Sequence, residues 1–227
     1  MLAAARSQNI SLSEAILRSD LAESRLTEAH SREMMHHLWQ VMQATSRDYD
    51  PAQRSRSGLS GGDAAKVEQA HQEGKSLGGD YLAAVTAEAL KTAECNACMK
   101  RIVAAPTAGS CGALYVAAGF GQVIAARATL AGAEGGCQAE VGAASAMAAA
   151  ALCHLKGGAP EQCAAAAAMA LGNLLGLVCD PVAGLVEVPC VKRNVVRAVN
   201  AVSCANMALA GVDYAIPCDE VIDAMGR

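Results

Sequence analysis

Residues 143–152 have the sequence Ala-Ala-Ser-Ala-Met-Ala-Ala-Ala-Ala-Leu, and residues 164–171 have Ala-Ala-Ala-Ala-Ala-Met-Ala-Leu. Alanine is the best helix former, and its small side chain lets two helices approach closely. Each run is interrupted by glycine or by polar residues such as His154 and Asn173. A membrane span needs about 20 strongly apolar residues. The two runs therefore predict buried core helices and no membrane partner.

The whole composition extends this prediction. Hydrophobic residues make up 53% of the 227 residues, but aromatic residues only 3%. No convincing alternation of polar and apolar residues predicts a strand. We therefore expect an all-α fold, a compact alanine-rich multi-helix domain, with residues 1–227 as a single catalytic domain.

Helix signals alternate with loops that carry unusual chemistry. Ser-Leu-Ser-Glu at residues 11–14 is a capping box that starts a first helix. Further helices are predicted at about 27–43, 64–73, 79–99, 115–130, 138–155, 160–178 and 191–210, with a short one after Cys218. The loops between them are rich in Gly, Pro and Ser, so we expect the site on loops held by a rigid helical scaffold.

Charge and cysteine content limit the class of protein. A net charge of −4 leaves no basic footprint, which argues against a nucleic-acid partner. Ten cysteines are too dilute for a disulfide scaffold, and no signal peptide is visible at the first residues. A cytoplasmic location is expected, with some cysteines in the core and others as ligands.

Three cysteines each lie beside a helix breaker. Cys137 is in Gly-Ala-Glu-Gly-Gly-Cys-Gln-Ala-Glu, Cys179 in Leu-Val-Cys-Asp-Pro-Val-Ala-Gly, and Cys190 in Val-Glu-Val-Pro-Cys-Val-Lys-Arg-Asn. Irregular backbone at a thiol suits an iron–sulfur cluster, which is held by cysteine thiolates. Three thiolates would leave one iron with an open position for Lewis-acid chemistry. The alternatives are three buried thiols or ligands of a structural zinc, although zinc usually has four ligands, often in close pairs.

The other cysteines are interpreted mainly as small core residues. Cys95-Asn-Ala-Cys98 has CxxC spacing but lies in a predicted helix, where residues three apart share one face. The same interpretation applies to Cys153, Cys163 and Cys204, whereas Cys111 lies in a glycine-rich loop.

Several strings together resemble the catalytic (alpha) chain of iron–sulfur-dependent L-serine dehydratases, also called L-serine ammonia-lyases. They occupy residues 57–63, 101–110, 132–142, 173–194 and 216–225. The resemblance implies a 4Fe–4S cluster on Cys137, Cys179 and Cys190. It also implies conversion of L-serine to pyruvate and ammonia by β-elimination through an aminoacrylate, within amino-acid catabolism and gluconeogenesis. The open iron would bind the β-hydroxyl of the substrate.

Two glycine-rich loops are candidates for holding the amino acid. Successive backbone NH groups in such loops can form an anion-binding nest. Either loop alone could be an ordinary turn, but both match the family strings. The candidate substrate-binding residues are Ser57, Ser60 and Gly61 in the first loop, Thr107, Gly109 and Ser110 in the second (residues 106–112), and Asn194.

The base that removes the α-proton is not evident. Lys192 and Arg193 follow Cys190 and could balance the charge of the cluster, hold a carboxylate or lie on a solvated helix start. Lys192 is the candidate catalytic residue within the chain. His30, His36 and His37 lie on an amphipathic helix and are expected at the surface.

The family resemblance implies a beta chain, which could supply the base, and a homo- or hetero-oligomer. Family members usually have a helical hairpin where this sequence passes from Leu114 to Tyr115, and a tail beyond Arg227. We therefore expect a shortened protein or absent segments.

Two other functions remain open. A related family desulfurates L-cysteine with a similar cluster, and relative turnover of the two amino acids would decide. A non-catalytic helical metal-binding subunit is the third class. A pyridoxal-phosphate dehydratase is disfavoured, because no lysine has a plausible Schiff-base context.

Overall fold

The chain is all-α, as predicted from its composition. The computed structural model describes residues 1–103 and 111–227, with the backbone alone at residues 111 and 112. These residues form eleven α-helices and no strand. The helices are α1 Leu2–Gln8, α2 Leu12–Ser24, α3 Glu28–Arg47, α4 Asp63–Gln72, α5 Gly79–Ala97, α6 Cys111–Arg127, α7 Gly132–Gly135, α8 Ala143–Leu155, α9 Pro160–Gly172, α10 Cys190–Leu209 and α11 Cys218–Met225.

Contacts divide the chain into two compact units. The first unit comprises Met1–Trp39, the described residues of Ala104–Cys179, and Asn200–Arg227. The second unit comprises Gln40–Val103 and Asp180–Val199. The single catalytic domain over residues 1–227 stays a prediction.

The alanine-rich helices α8 and α9 form the centre of the first unit. Ala149 and Ala150 of α8 and Ala166 and Ala167 of α9 are fully buried, which confirms the predicted core helices. Helix α6 packs on α8, and α2 packs on α6. At the α2–α6 contact a Cβ on Gly119 would lie within 3.0 Å of the Ile16 side chain, so glycine permits this close approach.

No described helix has both the length and the apolar character required to cross a membrane.

A polar network crosses the alanine core of the first unit. The Asn200 side-chain amide donates to Ser145 Oγ at 2.9 Å and to the Ala170 carbonyl at 2.8 Å. It accepts from the Asn173 amide at 2.8 Å. Because buried polar atoms are costly without partners, this network fixes α8, α9 and α10 relative to one another within the unit.

The second unit has a smaller core. Ala64 of α4, Leu90 and Ala93 of α5 and Val191 of α10 pack together. This core places the start of α4 beside the segment that carries Cys190 and Lys192.

The structure differs from the sequence prediction at several helix ends. Helix α1 was not predicted, α6 already begins at Cys111, and α9 ends at Gly172 rather than near residue 178. A π-helix, Gln138–Gly142, precedes α8. The chain after α9 leaves the helix because Leu174 and Leu177 pack against Cys137 and Val141 instead.

Candidate active site

The first candidate loop is closed by its own hydrogen bonds. We call residues 55–63 the serine loop. The Ser55 NH donates to the Ser60 carbonyl at 2.9 Å, and Ser60 is buried while Ser57 is exposed. Gly61 has a φ of +128°, and a Cβ there would lie 2.2 Å from the Gln53 carbonyl. Glycine is therefore required at position 61 to close the loop.

A buried carboxylate that was not predicted lies against this loop. Glu187 is 8% exposed, and its Oε2 accepts from Ser55 Oγ at 2.6 Å and from Ser57 Oγ at 2.8 Å. The hydrogen bond from Ser55 lowers the pKa of Glu187 against the opposing effect of burial, and those from Ser57 and Ser60 lower it further. Glu187 is thus an ionised acceptor for the loop hydroxyls.

A second buried carboxylate occupies the far end of the loop, where α4 begins. Glu94 is 1% exposed and accepts from the Asp63 NH at 2.7 Å and from the Tyr49 hydroxyl at 2.5 Å. Burial first, and then the bond to Glu94, raise the pKa of Tyr49, so its hydroxyl remains a donor. A negative charge is favourable at a helix N-terminus. The first NH of α4 therefore binds a carboxylate of the protein itself.

Lys192 is held by the last residue of the serine loop. Its Nζ donates to Asp63 Oδ2, and Lys66 donates to the other carboxylate oxygen at 2.8 Å. Lys192 first, then Lys66, lower the pKa of Asp63. Lys192 therefore acts here as a charged donor. The Asn194 amide donates to the Cys190 carbonyl at 2.9 Å, one helical turn back in α10.

In the first unit, the turn before Cys137 lies against the segment that leads to Cys179. The Gln138 NH donates to the Leu177 carbonyl at 2.9 Å, and the Gln138 side chain accepts from the Gly176 NH at 2.8 Å. A Cβ on Gly136 would lie 3.0 Å from the Leu177 oxygen. The structure thus brings together two of the three cysteine-bearing segments.

The three predicted cluster cysteines differ in exposure. Cys137 is buried, Cys179 is exposed, and Cys190 is half-buried as the first residue of α10. Cys190 belongs to the second unit, and the other two belong to the first. Within residues 1–103 and 113–227, no three His, Cys, Asp or Glu side chains are close enough to hold one metal ion.

The second predicted loop cannot be placed in the site. Thr107, Gly109 and Ser110 of the second loop lie outside the described residues, as does the side chain of Cys111.

Comparison with known proteins decides the family. The sequence matches the family described as "Serine dehydratase alpha chain" over residues 7–116 and 112–227. The chain belongs to this family. A probable L-serine dehydratase alpha chain of Bacillus subtilis (strain 168) is 44% identical over 242 residues, which covers 97% of this chain and 81% of that protein. The L-serine dehydratase alpha chain of Peptoniphilus asaccharolyticus is 41% identical over 97% of this chain and 83% of its own length. The resemblance stated from the sequence is confirmed.

Other cysteines of the chain are core residues, as predicted. Cys153, Cys163 and Cys204 are fully buried. Burial raises the pKa of the Cys204 thiol to about 11. Since the thiolate is the metal-binding form, such burial opposes ligation. Cys95 is also buried, and burial raises its pKa.

Cys98 is half-buried at the C-terminal cap of α5 rather than inside the helix. His30, His36 and His37 are exposed on α3, as expected.

The roles of Glu187, Glu94 and Gln138 are not predicted from the sequence alone. One signal was available for Glu187, because it is an isolated charge in the run Val186-Glu187-Val188-Pro189. A charged residue in an apolar run is expected to have a specific partner if it is buried. Glu94 and Gln138 carry no such local signal, because their partners are distant in sequence.

Proposed function

We propose that the chain is the catalytic alpha subunit of an iron–sulfur-dependent L-serine dehydratase that converts L-serine to pyruvate and ammonia. The observation that carries the proposal is the 44% identity, over 97% of the chain, to a protein named as a probable L-serine dehydratase alpha chain. The word alpha in that name supports a beta chain as partner. We further propose that the assembly works in the reducing cytoplasm, where thiols remain available as ligands.

We propose Cys137, Cys179 and Cys190 as the ligands of a 4Fe–4S cluster. The donor set fits, because thiolates are the usual ligands of such clusters. Gly136, next to Cys137, permits the close approach of the Cys179 segment, because a Cβ there would lie 3.0 Å from the Leu177 oxygen and 3.5 Å from the Cys179 nitrogen. When bound, the cluster would supply a Lewis acid that polarises the substrate hydroxyl.

The residues of the chain bind and orient the amino acid in this proposal. We propose that Ser57, Ser60 and Gly61 of the serine loop bind the substrate. Thr107, Gly109 and Ser110, which lie outside the described residues, are proposed for the same role. The Ser57 hydroxyl already donates to Glu187, so the loop backbone is the better donor to a substrate carboxylate. Asn194 would act near the third thiol, since its amide is hydrogen-bonded to the Cys190 carbonyl.

The proton at the α-carbon needs a base within hydrogen-bond reach. Lys192 is the candidate within the chain, but its ammonium donates to Asp63 in this geometry. To act as a base, Lys192 would have to lose its proton and leave this pair. We therefore propose that the beta chain supplies the base, with Lys192 as the candidate if the alpha chain is active alone.

Anaerobic reconstitution with iron and sulfide tests the proposal. We expect Cys137→Ser, Cys179→Ser and Cys190→Ser each to abolish cluster assembly, because each removes a metal bond. The matched control is Cys95→Ser, a buried thiol that should change stability only modestly. If Cys95→Ser removes the cluster while Cys137→Ser keeps it, the ligand assignment is wrong.

Activity is then measured as pyruvate formed from L-serine, with and without the beta chain. We expect poor turnover by the alpha chain alone and a gain with its partner. Air exposure should remove the open iron and give a three-iron species by electron paramagnetic resonance. Faster turnover of L-cysteine than of L-serine would instead indicate a desulfidase. A reconstituted pair of chains with neither activity would contradict the enzymatic proposal.

A further inference from the structure

In the segment that carries Glu187, the charged residue is buried and its apolar neighbours are exposed. Its neighbours Val186 and Val188 are exposed, and Val182 is exposed on the same segment. The charged side chain alone points inward, to the serine loop of its own unit. Burial of a charge is costly unless hydrogen bonds compensate for it, so the segment is arranged around this contact rather than around apolar burial.

The contact also sets the direction of hydrogen bonds inside the loop. Since Ser55 and Ser57 both donate to the carboxylate, their oxygens are left to accept. Ser55 Oγ accepts from the Ser60 NH at 3.2 Å, and Ser57 Oγ accepts from the Leu59 NH at 3.1 Å. Glu187 thus orders side chains and, through them, backbone amides at the tip of the loop.

Side-chain hydrogen bonds at two places join the serine loop to residues 187–192. Ser55 and Ser57 bind Glu187 at the start of the loop, and Asp63 binds Lys192 at its end. Cys190 lies between the two partners in sequence. The loop conformation is therefore set by the residues that flank this thiol.

We propose that Glu187 is a positioning residue for the amino-acid substrate: it holds the hydroxyls of Ser55 and Ser57 and so fixes the binding conformation of the serine loop. This inference rests on the proposed function, because it takes the loop as the place where L-serine binds. Glu187 itself touches neither the reacting atoms nor the metal in this assignment.

The test compares Glu187→Gln and Glu187→Asp with Glu73→Gln, which removes a charge at an exposed position of the same unit. Glutamine keeps the size of the side chain, and its carbonyl oxygen can still accept from both hydroxyls, but it removes the negative charge that strengthens these hydrogen bonds. Aspartate keeps the charge and both acceptors on a shorter side chain. Iron content and the KM and kcat for L-serine are measured with the beta chain present.

We expect Glu187→Gln to raise KM about tenfold, because two charge-assisted hydrogen bonds are replaced by neutral ones of about half the strength. Its kcat and iron content should match the wild type, Glu187→Asp should recover part of the KM, and Glu73→Gln should change nothing. An unchanged KM, or a lower kcat or iron content with no recovery in Glu187→Asp, would overturn the proposal.

A readout without turnover separates this inference from the proposed function. Hydrogen exchange of the Leu59 and Ser60 amides in the alpha chain alone should be faster in Glu187→Gln than in the wild type. Equal exchange rates would overturn the positioning role even if serine is a substrate. Faster exchange in Glu187→Gln, together with no serine turnover by the wild-type protein, would sink the proposed function and retain the ordering of the loop.

Discussion

Gly136→Ala should disturb the contact between the Cys137 turn and the Cys179 segment. Gly136 has φ 75° and ψ −175°, a backbone region that is essentially restricted to glycine. A Cβ at this position would lie 3.0 Å from the Leu177 oxygen, and 3.5 Å from both the Cys179 nitrogen and the Val178 Cα. The neighbour at 3.0 Å is backbone, so it cannot rotate away as a side chain would.

Two contributions give the magnitude of this effect. The backbone conformation costs a non-glycine residue about 1–3 kcal/mol. Movement of the Leu177 carbonyl would also weaken its hydrogen bond from the Gln138 NH, a bond of about 0.5–1.5 kcal/mol. We therefore expect the free energy of unfolding to fall by about 2–4 kcal/mol.

Gly157→Ala is the matched control in the same unit. Gly157 has φ +81°, but a Cβ there would have no heavy atom within 4 Å. Its cost should be about 1–2 kcal/mol from backbone conformation alone. Urea unfolding measures both variants, and iron content after reconstitution should fall only for Gly136→Ala. Equal stability losses in the two variants, with equal iron contents, would refute the steric reasoning.

Three further predictions concern the interior and the charges. Asn200→Ala should lower the free energy of unfolding by about 1–3 kcal/mol, because its buried partners lose their hydrogen bonds. The control, Asn206→Ala at an exposed position, should change it by less than about 0.5 kcal/mol. Urea titrations that give equal values for the two variants would contradict this prediction. Asp63 has a lowered pKa in the folded state, so its ion pairs should stabilise the fold above the unfolded pKa of about 3.9 and be lost as the pH falls through the folded value. Unfolding of wild type and Asp63→Asn across that range should show the difference shrinking with acid, and a constant difference would be inconsistent with it. Cys179 is exposed, while Cys204 is fully buried and its pKa is raised to about 11. Iodoacetamide at about pH 8 should therefore modify Cys179 before Cys204, as followed by mass spectrometry. Comparable rates of modification would contradict this prediction.

The predictable part of the fold came from local chemistry. Ser11 accepts from the Glu14 NH at 3.1 Å and caps α2, as the capping box predicted. The alanine runs became α8 and α9 because composition alone favours close helix packing. Helix α1 was missed because its seven residues have no side-chain cap at the N-terminus.

The parts that failed depend on contacts between distant residues. Helical periodicity extends α9 to about residue 178, but the Gln138 side chain accepts a hydrogen bond from the Gly176 NH of that segment, across 38 residues of sequence. The π-helix after Cys137 has no sequence signature, although such irregular turns are frequent at functional sites.

In the candidate site too, the residue types could be selected from the sequence, but their hydrogen-bond partners could not. Thiols beside Gly or Pro, and serines beside Gly, could be selected from the sequence because their chemistry is local. Glu187 could not be connected to Ser55 by any pattern, since 132 residues separate them. Sequence therefore predicted which groups could react, whereas the structure identified which groups hold them.

The structure also shows what fixes the segments that carry the candidate thiols, of which Cys137 precedes the π-helix and Cys190 begins α10. In the first unit, Gln138 uses both its backbone NH and its side chain to fix the segment before Cys179. In the second unit, Glu187 and Lys192 fix the residues on either side of Cys190 to the serine loop. In both units the fixing contacts come from side chains elsewhere in the same unit, which is why the residues that flank these cysteines matter as much as the cysteines themselves.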